Sequence, residues 1–302
     1  MVSIQQIAPV PPTERPAGKV SCRQIEMAHL PEIVNLLAMG FPRRSRVYWE
    51  NGLHRLAQYR PPEGFPQFGY MLRVGERPIG VHLLISSPLP DGDAPLVRCN
   101  GSSWYVEEPF RSYGLLLLIR ATRQQPAMYT NISPRPETLP IIEAQGFRKY
   151  SQGVFVALPV LTPSHNPVRH FLTQRSQWEA AGIRAPDIRL LKDHADFGCL
   201  ALWWETKAGG QVMIFRRRLI KPGLPCAQLI YCRSLQDLEE NMRAVGRYLA
   251  VRGMPLVLVP SDRPLRGVPG RFFPEKLAMY AKGPRAPRIG DLSYTEAALL
   301  GL

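Results

Sequence analysis

Residues 104–119, Trp-Tyr-Val-Glu-Glu-Pro-Phe-Arg-Ser-Tyr-Gly-Leu-Leu-Leu-Leu-Ile, have the types and spacing to hold an anion. Residues 102–106 are rich in aromatic and β-branched side chains, as in a strand. Pro109 ends that strand, because proline has no N–H for a strand ladder. Gly114 stands where a helix would begin, and residues 115–119 continue it as a buried, leucine-rich run. The first N–H groups of a helix lack intrahelical partners. Together with the helix dipole they can bind a phosphate or pyrophosphate. Gly114 would let the backbone come close to such a ligand. The same pattern also describes a plain structural turn into a core helix.

This stretch resembles the coenzyme A pyrophosphate loop of the GNAT acyltransferase superfamily. The family pattern is Arg or Gln, two residues of any kind, Gly, one residue of any kind, then Gly or Ala. It reads here as Arg111, Ser112, Tyr113, Gly114, Leu115 and Leu116. Val106 stands where the family has an apolar strand residue. Leu116 departs from the pattern, since a small residue is expected there. Further on, residues 128–131 read as a strand and 136–145 as a helix, with Pro136 in its first turn and Gly146 ending it. Pro140 weakens the middle of that helix. Residues 147–158 read as a further strand. Asn131 and the pair Gly146, Phe147 stand where the family often has Asn and Gly-Phe. The resemblance covers residues 21–158, about half the chain. It implies an α/β fold of the α+β kind: a mixed, mainly antiparallel twisted sheet flanked by helices. It also implies acetyl-CoA or another acyl-CoA as co-substrate, with Val106, Arg111, Ser112, Tyr113, Gly114, Leu115, Leu116 and Asn131 around it.

The chain has 302 residues, of which 45% are hydrophobic, enough for two domains of ordinary size. No apolar run reaches the roughly 20 residues that span a bilayer. Residues 1–18 are polar and proline-rich, read as a flexible tail without a signal pattern. The five cysteines, Cys22, Cys99, Cys199, Cys226 and Cys232, show no metal-type spacing. Reduced thiols in a cytoplasm and no metal are expected. The net charge of +14 favours anionic partners, coenzyme A among them. No nucleic-acid-binding signature accompanies it, so nucleic acid is not an expected partner. The sequence leaves the oligomeric state open.

The elements that would position the loop follow from periodicity. Residues 20–25 read as a first strand. Residues 30–40 and 46–59 read as helices with apolar stripes, and in the resembled fold this helical region lines the acceptor site. Residues 70–74 and 78–86 form a hairpin around Gly75 and Glu76, and 96–106 continue the sheet. Residues 161–168 read as a linker. The order hairpin, strand, helix, strand then returns at 197–205, 211–219, 227–232, 235–251 and 255–259, with Ser234 as a helix cap. A strand at 276–280 and the tail 290–302 complete it. The expectation is a tandem: an acyltransferase domain over 19–160 and a degenerate second copy over 169–302, with an unrelated α/β cap domain as the open alternative for the second half. After Cys232 the second copy has no glycine loop.

GNAT chemistry is direct attack of an amine on a thioester. It needs positioning, an N–H for the oxyanion, a base for the amine and an acid for the thiolate. The family's usual acid, a Tyr four residues before the Gly of Gly-Phe, is replaced here by Ile142. Tyr129 is the preferred substitute over Tyr113, and Glu107 is the preferred base. His82 reads more readily as a structural histidine. Cys99 as an acylated nucleophile is a minor option. The acceptor would be a small-molecule amine or another acyl acceptor, whose identity no local motif encodes. Two other readings stay open. One is a non-catalytic acyl-CoA-binding or regulatory protein, which Leu116 and Ile142 favour. The other is a transferase using a carrier-bound long-chain acyl or aminoacyl donor.

Overall fold

The computed structural model describes residues 18–89, 96–163, 170–206 and 209–301. The expected tail, up to residue 17, and the linker beyond Pro163 lie outside the described residues. The first half runs β1 (Val20–Gln24), α1 (Leu30–Gly40), α2 (Arg46–Gln58), β2 (Gly69–Val74), β3 (Arg77–Pro88), β4 (Val97–Val106), α3 (Gly114–Ala121), β5 (Ala127–Asn131), α4 (Leu139–Ala144) and β6 (Arg148–Ala157). The second half runs β7 (His170–Leu172), α5 (Arg175–Ala180), α6 (Ala185–Asp196), β8 (Leu200–Thr206), β9 (Gly209–Lys221), β10 (Leu224–Cys232), α7 (Leu235–Ala250), β11 (Leu256–Ser261), β12 (Gly270–Lys282) and α8 (Glu296–Leu299).

All twelve strands join one sheet in the order β1-β2-β3-β4-β5-β12-β6-β11-β10-β9-β8-β7. Pairing is antiparallel except at β4·β5 and β10·β11, which are parallel. The halves therefore repeat one strand order, five strands with a parallel pair at the inner end. Their sixth strands are exchanged: β12 pairs with β5, β6 pairs with β11, and β6 and β12 pair with each other. This exchange makes the sheet continuous. The strand order starts again at β7 within this one sheet.

Period-2 alternation divides the core between the two faces. Met71, Val81, Leu83, Trp203, Val212 and Ile214 face α1, α2, α6 and α8. Their neighbours Tyr70, Leu72 and Leu84 face α3, and Leu202, Trp204, Met213 and Phe215 face α7. The caps act as their residue types dictate. Ser45 accepts from the Tyr48 N–H at the start of α2, and Ser234 accepts from the Gln236 N–H at the start of α7. Gly75 turns the β2–β3 hairpin at φ +57°, a left-handed conformation that suits glycine.

Three differences from the sequence reading have local causes. The helix expected at 136–145 is helical only from Leu139. Pro140 falls in the first turn, where its missing N–H costs nothing, and a 3-10 turn over Pro136–Thr138 precedes it. The strand expected from Phe197 begins at Leu200, because Phe197 caps α6. β7 and α5 are too short, at 3 and 6 residues, to carry a periodic signal, and α6, whose buried face recurs at Asp187, Leu190, Leu191 and His194, is absent from the sequence reading.

Candidate functional site

Parallel pairing of β4 and β5 ends at Asn100 opposite Thr130, while β4 runs on to Val106. The strands part there. β4 also bulges at that point: Ser103 has φ +52°, and the register with β3 slips between Val81 and Leu83. The gap opens a cavity of about 220 Å³. Gly101 to Trp104 form one wall. Asn131, Ser133 and Arg135 form a second, and Phe41, Arg44 and Trp49 from the α1–α2 region form a third. His82 of β3 and Glu296 of α8 complete the lining. A narrow cleft shares His82, Gly101, Trp104 and Asn131 with this cavity and runs beneath α3 and α4 to Tyr129 and Ile142.

Glu296 is the carboxylate of the cavity, and it arrives from the far end of the chain. It is 1% exposed. Burial raises its pKa to about 7, against the hydroxyls of Ser102 and Ser133. Ser133 Oγ donates to Oε1, and Oε2 is buried without a hydrogen-bond partner. The tail that delivers it is tied down along its length. Arg98 on β4 forms a buried ion pair with Asp291 at 3.3 Å and also bonds the Ser293 carbonyl. Burial pushes the Asp291 carboxyl up, but Arg98, Ser293 and Arg288 outweigh it and leave the pKa lowered. The Tyr294 N–H donates to His194 Nε2 at 3.2 Å. Arg55 bonds the Leu299 carbonyl at 2.7 Å, and Arg216 bonds that of Ala298.

His82 stacks on Trp104 with ring centroids 5.6 Å apart. Burial lowers its pKa to about 4, so the ring is neutral at pH 7, and Nδ1 has no partner. Gly101 makes room for it: a Cβ there would sit 2.8 Å from His82 Nε2.

The residues singled out in the sequence fall in three places. Asn131 lines the cavity, and Tyr129 lines the narrow cleft. The Tyr129 hydroxyl donates to the Gln124 carbonyl at 2.6 Å, and burial raises its pKa. Glu107 stands apart from both cavities, its two oxygens held by Arg77 Nη1 at 2.7 and 2.8 Å. Arg111, Ser112 and Tyr113 lie in a 3-10 turn, Glu108–Tyr113, that runs straight into α3, so the Gly114 N–H already donates to the Arg111 carbonyl. Arg111 is 68% exposed, with Glu108 at 3.8 Å. Leu115 and Leu116 are exposed on α3, and Val106 packs beneath Gly114. Burial pushes the Cys99 thiol up to about 12, which leaves it no nucleophilic thiolate.

Sequence reasoning missed Glu296. Its surroundings, Thr-Glu-Ala-Ala-Leu-Leu, fall in the tail 290–302, to which the sequence reading assigns no element and no site residue. Nothing local shows that the segment ends in the cavity of the first half, where Glu296 meets Ser133 from 163 positions earlier in the chain.

The fold is that of the GCN5-related N-acetyltransferases. The chain superposes on such a protein from Anabaena variabilis with a TM-score of 0.56 at 10% identity, over 91% of this chain and 74% of that one. It superposes on another from Kribbella flavida with a TM-score of 0.52 at 10% identity, over 87% and 70%. No protein-family model matches the sequence, and no curated protein matches it. At these identities the likeness concerns the fold. Among the described residues, no helix is long and apolar enough to cross a membrane.

Proposed function

We propose that the protein transfers an acyl group from an acyl-CoA, acetyl-CoA in the simplest case, to an amine bound beside Glu296. The observation that carries this reading is Glu296 itself. It is a buried carboxylate with one unpartnered oxygen and a pKa near neutrality, in a cavity where two parallel strands part. A general base works best with a pKa near the operating pH.

In this reading the donor's diphosphate lies over the start of α3, near Arg111. Its pantetheine arm follows the narrow cleft past Asn131. The grip on the diphosphate is weak, because the 3-10 turn has already engaged the Gly114 N–H. Glu296 takes a proton from the acceptor ammonium. The freed nitrogen attacks the thioester carbonyl carbon, and a C–N bond forms. Backbone N–H groups of β4 beyond its pairing with β5 stabilise the oxyanion. The C–S bond then breaks and the thiolate leaves. The second proton of the attacking nitrogen passes to the departing thiolate by way of the Tyr129 hydroxyl, which takes that proton up as it gives its own and so ends the step protonated. Glu107 takes no part in this scheme, since Arg77 holds its carboxylate. The reaction would take place in the cytoplasm.

The test is thioester consumption with acetyl-, octanoyl- and palmitoyl-CoA against a broad amine panel. Release of free coenzyme A that depends on the amine is expected. A rise in melting temperature with acyl-CoA is expected as well, since a ligand selective for the folded state stabilises it. Stabilisation by acyl-CoA with no turnover of any amine would instead favour a binding or regulatory protein on the same fold.

A further inference from the structure

The cavity's unsatisfied groups describe a ligand with two poles. On one side stand donors without a counter-charge, one of them, Arg135, with a single long bond from Nη2 to the Gly40 carbonyl at 3.4 Å. Arg44 rests over the Tyr48 ring at 4.7 Å and Arg135 over the Phe41 ring at 4.7 Å. Among the described residues no carboxylate pairs with either guanidinium. The Trp49 indole N–H, on the same wall, is buried and has no acceptor. On the other side stands Glu296 Oε2, an acceptor without a donor.

Stacking on the two rings orders the guanidiniums before any ligand arrives, so less freedom is lost on binding. Two ordered guanidiniums and an indole N–H match a carboxylate, which accepts up to four hydrogen bonds and suits the planar arginine fork. Glu296 matches the ammonium. A plain amine would satisfy Glu296 but leave the two guanidiniums without a counter-charge and the buried Trp49 N–H without an acceptor. A buried polar group left without a partner costs on the order of 1–3 kcal/mol.

We infer that the acceptor is an amino acid, its carboxylate held by Arg44, Arg135 and the Trp49 N–H and its amine directed at Glu296. The amine's role rests on the acyl-transfer reading above. The carboxylate's place rests on the cavity's own donors.

The test measures binding and turnover separately, using matched pairs that differ only in the carboxylate: phenylalanine with phenethylamine, leucine with isoamylamine, alanine with ethylamine. Calorimetry on the full chain without donor should show at least one amino acid binding tenfold or more tighter than its amine. Arg44→Gln and Arg135→Gln should each close most of that gap, and Arg44→Lys should retain part of it. Equal affinity within every pair, no binding by any member, or a gap that both Gln variants preserve would overturn the inference. The wild-type comparison stands even if a variant fails to fold. Turnover decides the other question. Amines acylated without preference for the carboxylate would sink the amino-acid assignment and leave acyl transfer intact. Arginine-dependent amino-acid binding with no acylation would keep the assignment and sink the transferase.

Discussion

The two halves of the sheet open at equivalent points, and among the described residues the two openings differ in the space they leave. In the first half β4 and β5 part after Asn100, leaving about 220 Å³. In the second half β10 and β11 part after Gln228, and the tail fills the gap. The Leu292 N–H donates to the Ile230 carbonyl at 2.7 Å and the Cys232 N–H to the Gly290 carbonyl at 2.9 Å, so residues 290–292 act as a short extra strand on β10. What remains is about 50 Å³, lined mostly by apolar side chains. The helix starts differ in the same sense. α3 follows a 3-10 turn with no side-chain cap, whereas the Ser234 hydroxyl occupies the start of α7. One chain end thus does two jobs. It closes the second cleft and, a few residues later, supplies the carboxylate of the first. Two halves with the same strand order become asymmetric through the segment that follows the last strand.

The comparison breaks most readily at Glu296. Glu296→Gln should lower turnover about 10²–10⁴-fold, the usual worth of a general base, and abolish the limb of the pH–rate profile near 7. Glu107→Gln should change the rate less than about threefold. The reverse ranking, measured on variants with unchanged circular dichroism, would return the base to Glu107.

The tail's anchor comes next. Arg98→Met leaves Asp291 buried without its main counter-charge. Breaking one side of a buried pair costs about 3–5 kcal/mol, measurable by urea denaturation, and turnover should fall with it because Glu296 loses its support. Replacing both partners by apolar residues should recover most of the stability. Without that recovery, the pair is not the anchor.

Glu296 also makes a stability prediction with a definite sign. Its folded pKa, about 7, exceeds the ordinary 4.5. The carboxyl's contribution is therefore fully present below about pH 4.5 and is lost as pH rises through about 7. At about 1.4 kcal/mol per pKa unit the loss is roughly 3 kcal/mol. His82 and His194, both lowered to about 4 by burial, act oppositely and lose stability as pH falls below about 6.5. Comparing wild type with Glu296→Gln cancels the histidines. The variant should gain on the wild type between pH 5 and 8, and parallel pH curves would show that the carboxyl is not desolvated.

The smallest effects belong to the helix starts. Arg111→Ala should weaken acyl-CoA binding by less than about tenfold, since the side chain is exposed and salt screens it. Ser234→Ala should leave acyl-CoA affinity alone and cost about 1 kcal/mol of stability, the worth of a cap. An effect of Ser234→Ala on acyl-CoA affinity would mean that the second cleft binds donor after all.

Much of the fold was legible because its signals are local. The β2–β3 hairpin follows from Gly75, α7 from Ser234 and its apolar stripe, and the β4–α3 passage from Pro109 and Gly114. The repeat of hairpin, strand, helix and strand was legible too, since both copies bury similar faces. The site was legible only on one side. Asn131 lines the cavity and Tyr129 its continuation, and both belong to the parting strands, where strand order alone brings them. Glu107 was misleading because a carboxylate at a strand exit looks available until Arg77 is placed beside it, and strand pairing puts Arg77 there. What the sequence by itself determined was therefore the set of elements and the order in which each half uses them, since helix caps, turns and alternation act within a few residues. Tertiary structure alone decided the exchange of β6 and β12 and the path of the tail. It also decided the meeting of Glu296 with His82, Arg44 and Arg135. Those depend on contacts between residues up to about 250 positions apart in the chain, and on burial, which raises a glutamate's pKa toward neutrality only where water is excluded.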